Sequence, residues 1–209
     1  TVDLSGVTLM TGPLDDEDYL NVSVSDTASI LLDDLQTVDA GGYVLFTALD
    51  GATLDLPSLQ STQDGLFWID TADSHVLANA SSWTFSSSGL PNSNATLMLA
   101  AAPGALIDLS GMTSLDASFN SSFSKAQFHQ ILANTGGVID LSGVTQITGP
   151  VDDEDYLRVS VSDTASINLD NLGTVVAGGY VLFEAGAGAT LSLPSLQSTQ
   201  DAVFIADTH

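Results

Sequence analysis

The 209 residues carry 26 acidic against 2 basic side chains, a formal net charge of −24, with no cysteine and 44% apolar residues. That excess excludes nucleic acid as a partner, since phosphate binding needs clustered Lys and Arg, and disfavours anionic membrane surfaces for the same reason. No disulfide is available and no apolar run approaches the ~18 residues of a membrane span, while Ser, Thr, Val, Leu, Asp and Gly give a strand-and-turn composition.

The first element is VDLSGV from Val2: an apolar residue, a variable one, Leu, two residues of turn character and another apolar residue. Tyr19 to Val24 then alternates apolar and polar, an SDTA corner follows, and Ile30 to Leu35 (ILLDDL) repeats the anchor. YVLFTALDGATLDLPSL from Tyr43 follows the same plan, and VLANA at Val76 to Ala80 is a degraded copy. Ala80 to Ala95 is Ser-rich with Pro91 and reads as a loop carrying a short strand. LMLAAAPGALIDLSGM from Leu97 restores the plan. Phe119, Phe123 and Phe128 then stand at near-helical spacing and are read as aromatics closing the side of the core, with one short helix as the alternative. ILANTGGVIDLSGV from Ile131, INLDNL from Ile167 and YVLFEAGAGATLSLPSL from Tyr180 complete the series.

The second position of each full anchor falls at 3, 31, 55, 108, 140, 168 and 192, so the separations by subtraction are 28, 24, 53, 32, 28 and 24. The degraded copy divides the 53 into two steps. Short strands recurring at a period of about 23 to 32 residues predict an all-β fold, a right-handed parallel β-helix (β-solenoid) of about eight coils, roughly 40 Å long. Leu4, Leu32, Leu56, Leu109, Leu141, Leu169 and Leu193 are expected to stack as one internal ladder. Asp108 and Asp140 should lie on successive coils and face solvent.

A longer repeat is superposed. Residues 1–72 align without a gap onto 138–209 at an offset of 137, with 53 of 72 positions identical. The chain is therefore expected to form one continuous solenoid over 1–209, with an irregular middle section at 73–137, and to be a slice of a longer array.

The most conspicuous polar cluster occurs twice, as Asp15, Asp16, Glu17 and Asp18 and as Asp152, Asp153, Glu154 and Asp155. Consecutive carboxylates at a corner are hard oxygen ligands suited to Ca²⁺, although they match no established Ca²⁺-loop spacing, and a solvated acidic loop is the plainer reading. His75, His129 and His209 stand in no metal-ligand spacing, and neither a nucleophile elbow nor a phosphate loop is present. They are read as surface or strand residues. Tyr43, Trp68, Trp83 and Tyr180 are read as packing the coil rather than stacking on sugars.

The IDLSG-type anchors and their period resemble the parallel β-helix repeats of large secreted or surface proteins of bacteria, adhesins among them, and the architecture of pectate lyases. The second resemblance implies Asp-bound Ca²⁺ with an Arg or Lys base. Here the only Arg is Arg158, and its equivalent in the first copy is Asn21, so the catalytic motif of that family is not reproduced. The expectation is a non-enzymatic structural or adhesive segment, extracellular or at the cell surface: a rigid acidic rod stacked end to end with copies of itself or further repeats, screened or bound by Ca²⁺, with surface polysaccharide as a further candidate partner. A polysaccharide lyase or hydrolase, or a carbohydrate-binding module, is the alternative.

Overall fold

A computed structural model describes residues 1–13, 18–85, 95–119 and 127–207. The first coil supplies β1 (Val2–Asp3), β2 (Leu9–Thr11) and β3 (Tyr19–Ser25). The second has β4 (Ile30–Leu31) and the long β5 (Thr37–Leu49), the third β6 (Thr53–Leu56) and β7 (Ser61–Ile69). Then come β8 (His75–Ala78), β9 (Ser82–Thr84) and β10 (Ala95–Ala100), followed by β11 (Leu106–Asp108), β12 (Ser114–Asp116) and β13 (Phe128–Ala133). The next two coils are β14 (Val138–Asp140), β15 (Gln146–Thr148) and β16 (Tyr156–Val161), then β17 (Ser166–Asn168), β18 (Thr174–Val176) and β19 (Tyr180–Ala185). The last carries β20 (Ser198–Thr199) and β21 (Ala202–Ala206).

Every pairing is parallel and joins the same strand of neighbouring coils, giving a β-solenoid of about six turns with an open rung at either end. The rest of each coil is the crossover that a parallel pair requires. On the first face the register runs Asp55, Leu77, Asp108, Asp140, Asn168 and Ser192, the outward column expected from the anchors. The inward neighbours Leu32, Leu56, Leu109, Leu141 and Leu169 are wholly buried, with Ala78 filling the place in the degraded coil. Leu4, on the first rung, is 38% exposed, and Leu193 on the last is half-buried.

Each anchor ends in a tight turn whose last N–H donates to its first carbonyl, as from Leu35 to Leu32 (3.1 Å), Val144 to Leu141 (3.0 Å) and Leu172 to Leu169 (3.1 Å). The variable residue explains the DLSG spelling. Asp3, Asp108 and Asp140 each accept the N–H two residues on, from Ser5, Ser110 and Ser142, at 2.9–3.0 Å. Asp55 precedes Leu-Pro, and proline has no N–H to give. The degraded coil turns through Ala78, Asn79 and Ala80, one residue fewer than its neighbours, and leaves a notch of about 160 Å³ between Asp55 and Asp108.

The corner between the third face and the next coil requires left-handed backbone. Asp50 and Gly51 have φ of 55° and 80°, Thr135 and Gly136 51° and 78°, and Asp163 and Thr164 51° and 65°. Consecutive positive φ values define type I′ turns, which favour Gly, Asn and Asp. Among the described residues, six of the eight non-glycine residues with positive φ are Asp. Much of the acidity is thus turn chemistry.

The corner between the second and third faces varies most. β7 passes straight through it at Asp64 and Gly65, and β5 does so with a bulge between Asp39 and Val44. The connections between β18 and β19 (177–179) and between β20 and β21 (200–201) are equally short, whereas those between β2 and β3 (12–18), β9 and β10 (85–94), β12 and β13 (117–127) and β15 and β16 (149–155) are longer. No helix occurs among the described residues: Phe119 is buried in the core, Phe128 faces outward on β13, and Phe123 lies outside them.

Candidate functional site

The insertions make this corner the candidate site, because longer connections on a rigid scaffold are where chemistry is commonly carried. Asp15, Asp16 and Glu17 lie outside the described residues. Asp18 is exposed, and its carbonyl accepts the Tyr43 N–H at 3.4 Å. In the second copy the four acids diverge. Asp153 and Glu154 face solvent, and half-buried Asp152 accepts the Glu154 N–H at 3.2 Å. Asp155 is fully buried, and its carboxylate accepts the Gln127 N–H at 2.8 Å, fastening the start of β13 to the coil beneath it. Among the described residues no three His, Cys, Asp or Glu side chains converge as metal ligands. The loop is pinned from below: Gly178 and Gly179 both donate to the Pro150 carbonyl, and a Cβ on Gly179 would collide with the carbonyl oxygens of Asp152 and Asp155.

Inside the same corner sits His129, an inward position of β13 between Ala95 and Leu157. It lies on a strand, as expected, but in the core rather than at the surface. The edges of Phe85 and Phe119 meet its ring at centroid distances of 4.8 and 4.1 Å. Its Nδ1 accepts the Ala95 N–H at 3.3 Å, which places the proton of the neutral ring on Nε2. Burial pulls its pKa down to about 4, with the charge of Asp155 and the Ala95 bond opposing. A neutral imidazole 1% exposed has no route to a substrate, so this cluster ties coils together. His75 is half-buried on β8, and His209 lies outside the described residues.

On the third face Arg158 donates to Glu184 through Nε (2.7 Å) and Nη2 (2.5 Å), and Ser160 Oγ adds a bond to the same oxygen at 3.2 Å. In the first copy the equivalent positions are Asn21 and Thr47, bonded to each other at 3.1 Å. The exchange is therefore a paired one: one polar couple replaces another, and Arg158 is engaged with a carboxylate rather than poised as a base. Phe128, Tyr156 and Tyr180 form a surface stack with centroids 4.8–4.9 Å apart, and Tyr19 stacks on Tyr43 at 5.2 Å. The facing surfaces of these rings cover one another, and Tyr19 at the end of its stack is 55% exposed. Burial and the neighbouring phenols raise the pKa of Tyr43 and Tyr156. Trp83 is buried with Nε1 donating to the Gly65 carbonyl at 2.7 Å, and Trp68 is half-buried on β7.

Reading the sequence coil by coil misses the His129–Asp155 cluster, because nothing local marks a histidine as inward. The Arg158–Glu184 couple did have a signal: both exchanges stand at the same offset of 137 between the copies. No helix of the described residues is long and apolar enough to cross a membrane. No protein-family model, curated protein or solved structure matches the chain.

Proposed function

We propose that the chain is a non-catalytic structural or adhesive segment of an extracellular or cell-surface protein, a stiff acidic rod that stacks on further rungs. The observation that supports this most is the dependence of each rung on its neighbours: the same anchor is wholly buried at Leu141 and 38% exposed at Leu4. Such a stack extends by adding rungs, from copies of the chain or from further repeats, and each addition buries apolar edge. Val2, Leu4, Leu9 and Leu20 at one end and Val203, Phe204 and Ile205 at the other are the side chains that would gain cover. Ca²⁺ enters this reading as a cation gathered by Asp15–Asp18 and Asp152–Asp155, relieving the repulsion between stacked rods.

Electron microscopy of the purified chain at about 5 mM Ca²⁺, above the range of weak extracellular Ca²⁺ sites, and again in chelator tests it. Filaments that lengthen with Ca²⁺ and shorten in chelator are expected. Short single rods unaffected by cation or protein concentration would overturn both the assembly and the role of Ca²⁺.

A further inference from the structure

We propose that the outer face of β5, β7 and β9 binds a neutral, linear polysaccharide. A hollow of about 280 Å³ spans these three rungs, lined by Thr37, Asp39, Ser61, Gln63, Ser82 and Thr84. The register stacks Thr37, Ser61 and Ser82 in one column and Asp39, Gln63 and Thr84 in the next. Rungs of a sheet lie ~4.8 Å apart, and alternate residues of a strand ~7 Å apart. The result is a grid of hydrogen-bonding groups on which a pyranose chain laid along the solenoid axis meets about one rung per ring.

The grid's bonding capacity is free. Among the described residues no group bonds the hydroxyls of Thr37, Ser61, Ser82 and Thr84, and Gln63 makes only a 3.5 Å contact to the Ala40 carbonyl. Further along the same face Asp116 accepts the Ser118 N–H at 3.0 Å, and Gln146 with Thr148 and Ser198 with Thr174 make long contacts of 3.4 Å. Four of the six outward-facing lining residues, Thr37, Ser61, Ser82 and Thr84, are half-buried, so a ligand displaces water that is already confined.

Charge selects the partner class. In a chain of net charge −24, Asp39 and Asp116 are the only charged residues at the outward positions of this face. Neutral hydroxyl-rich chains can approach, whereas polyanions meet Asp39 and the acidic corners on either side. No aromatic side chain lines the hollow, so affinity comes from many modest hydrogen bonds repeated along a polymer.

Affinity electrophoresis of the full chain in gels containing hydroxyethyl cellulose, galactomannan or polygalacturonate tests the proposal. Retardation by at least one neutral polymer and none by polygalacturonate is expected. Thr37→Val, Ser61→Ala, Ser82→Ala and Thr84→Val combined should weaken binding about tenfold or more by removing four donors of similar shape. Ser61→Arg, which fills the hollow from an outward position, should do the same and serves if the quadruple variant does not fold. Gln146→Ala with Thr148→Val, outside the hollow, should bind like the parent. Migration unchanged by both neutral polymers, equal retardation by polygalacturonate, or parental binding by a folded hollow variant would each overturn the proposal. It does not rest on the fibre reading, because a single rod presents the same face.

Discussion

Residues 1–72 and 138–209 are nearly one sequence placed in two settings, and their burial is reversed. The first rung of the earlier copy leaves Val2 54% and Leu4 38% exposed, whereas its equivalents Ile139 and Leu141 are fully covered by the coil before them. The third rungs show the opposite. Leu54, Leu56 and Phe67 are wholly buried, while Leu191 and Leu193 are half-buried and Phe204 is 53% exposed. A coil's own sequence sets its shape and inward pattern; the adjacent rungs set how much that pattern stabilises it, as expected for a one-dimensional stack.

The sharpest way to break this comparison is one substitution made twice. Leu141→Asp should cost about 5 kcal/mol or more by burying an unpaired charge, and Leu4→Asp less than about 1 kcal/mol. Equal shifts in urea unfolding would refute neighbour-controlled burial.

The middle section supplies the next largest effect, because among the described residues it alone has a histidine in the core. The His129 pKa in the folded chain, about 4, lies below the ordinary 6.5, so the unfolded chain binds the extra proton between these values. Stability from this group is complete above about pH 6.5 and is lost as pH falls towards 4, by up to about 3 kcal/mol. Comparing His129→Phe with the parent by urea unfolding at pH 7.5 and 4.5 cancels the carboxylates common to both. The parent should lose more stability than the variant on acidification.

A smaller effect tests the paired exchange on the third face. Arg158→Asn or Glu184→Thr alone should each cost about 1 kcal/mol, and the double variant, which recreates the Asn21–Thr47 couple, should recover most of the loss. Strictly additive losses would mean that the two residues are independent. The smallest effect separates two identical SDTA corners. Thr164 has a φ of 65°, a conformation poorly tolerated by a β-branched residue, whereas in the first copy only Asp26 is left-handed. Thr164→Gly should raise stability by about 0.5–1 kcal/mol, with no gain from Thr27→Gly, measured by thermal unfolding.

The parallel coils and their register were legible because each anchor couples a two-residue strand period to a fixed turn. The column through Asp55, Asp108, Asp140, Asn168 and Ser192 follows from that coupling alone. The degraded coil was legible only approximately: steps of about 23 and 30 put its second position near residue 78, whereas it is Leu77 that pairs with Asp55 and Asp108. The corners were less legible. Whether Asp155 turns inward depends on the amide of Gln127, 28 residues away on another coil, and no local pattern reports that. Nor does composition distinguish the free hydroxyls of Ser61 and Ser82 from the bonded ones of Thr174 and Ser198; only the stacking does.

The aspartates at the left-handed corners and after the anchor strands have an electrical consequence. They recur with the coil, so lengthening such a stack adds charge in proportion to length. A net charge of −24 along an axis of roughly 40 Å amounts to one elementary charge per ~1.7 Å, the linear density of duplex DNA. A line charge of that density condenses counterions along its whole length without any coordinating pocket. Its neighbours in solution will therefore sense ionic strength and cation valence before they sense any particular side chain.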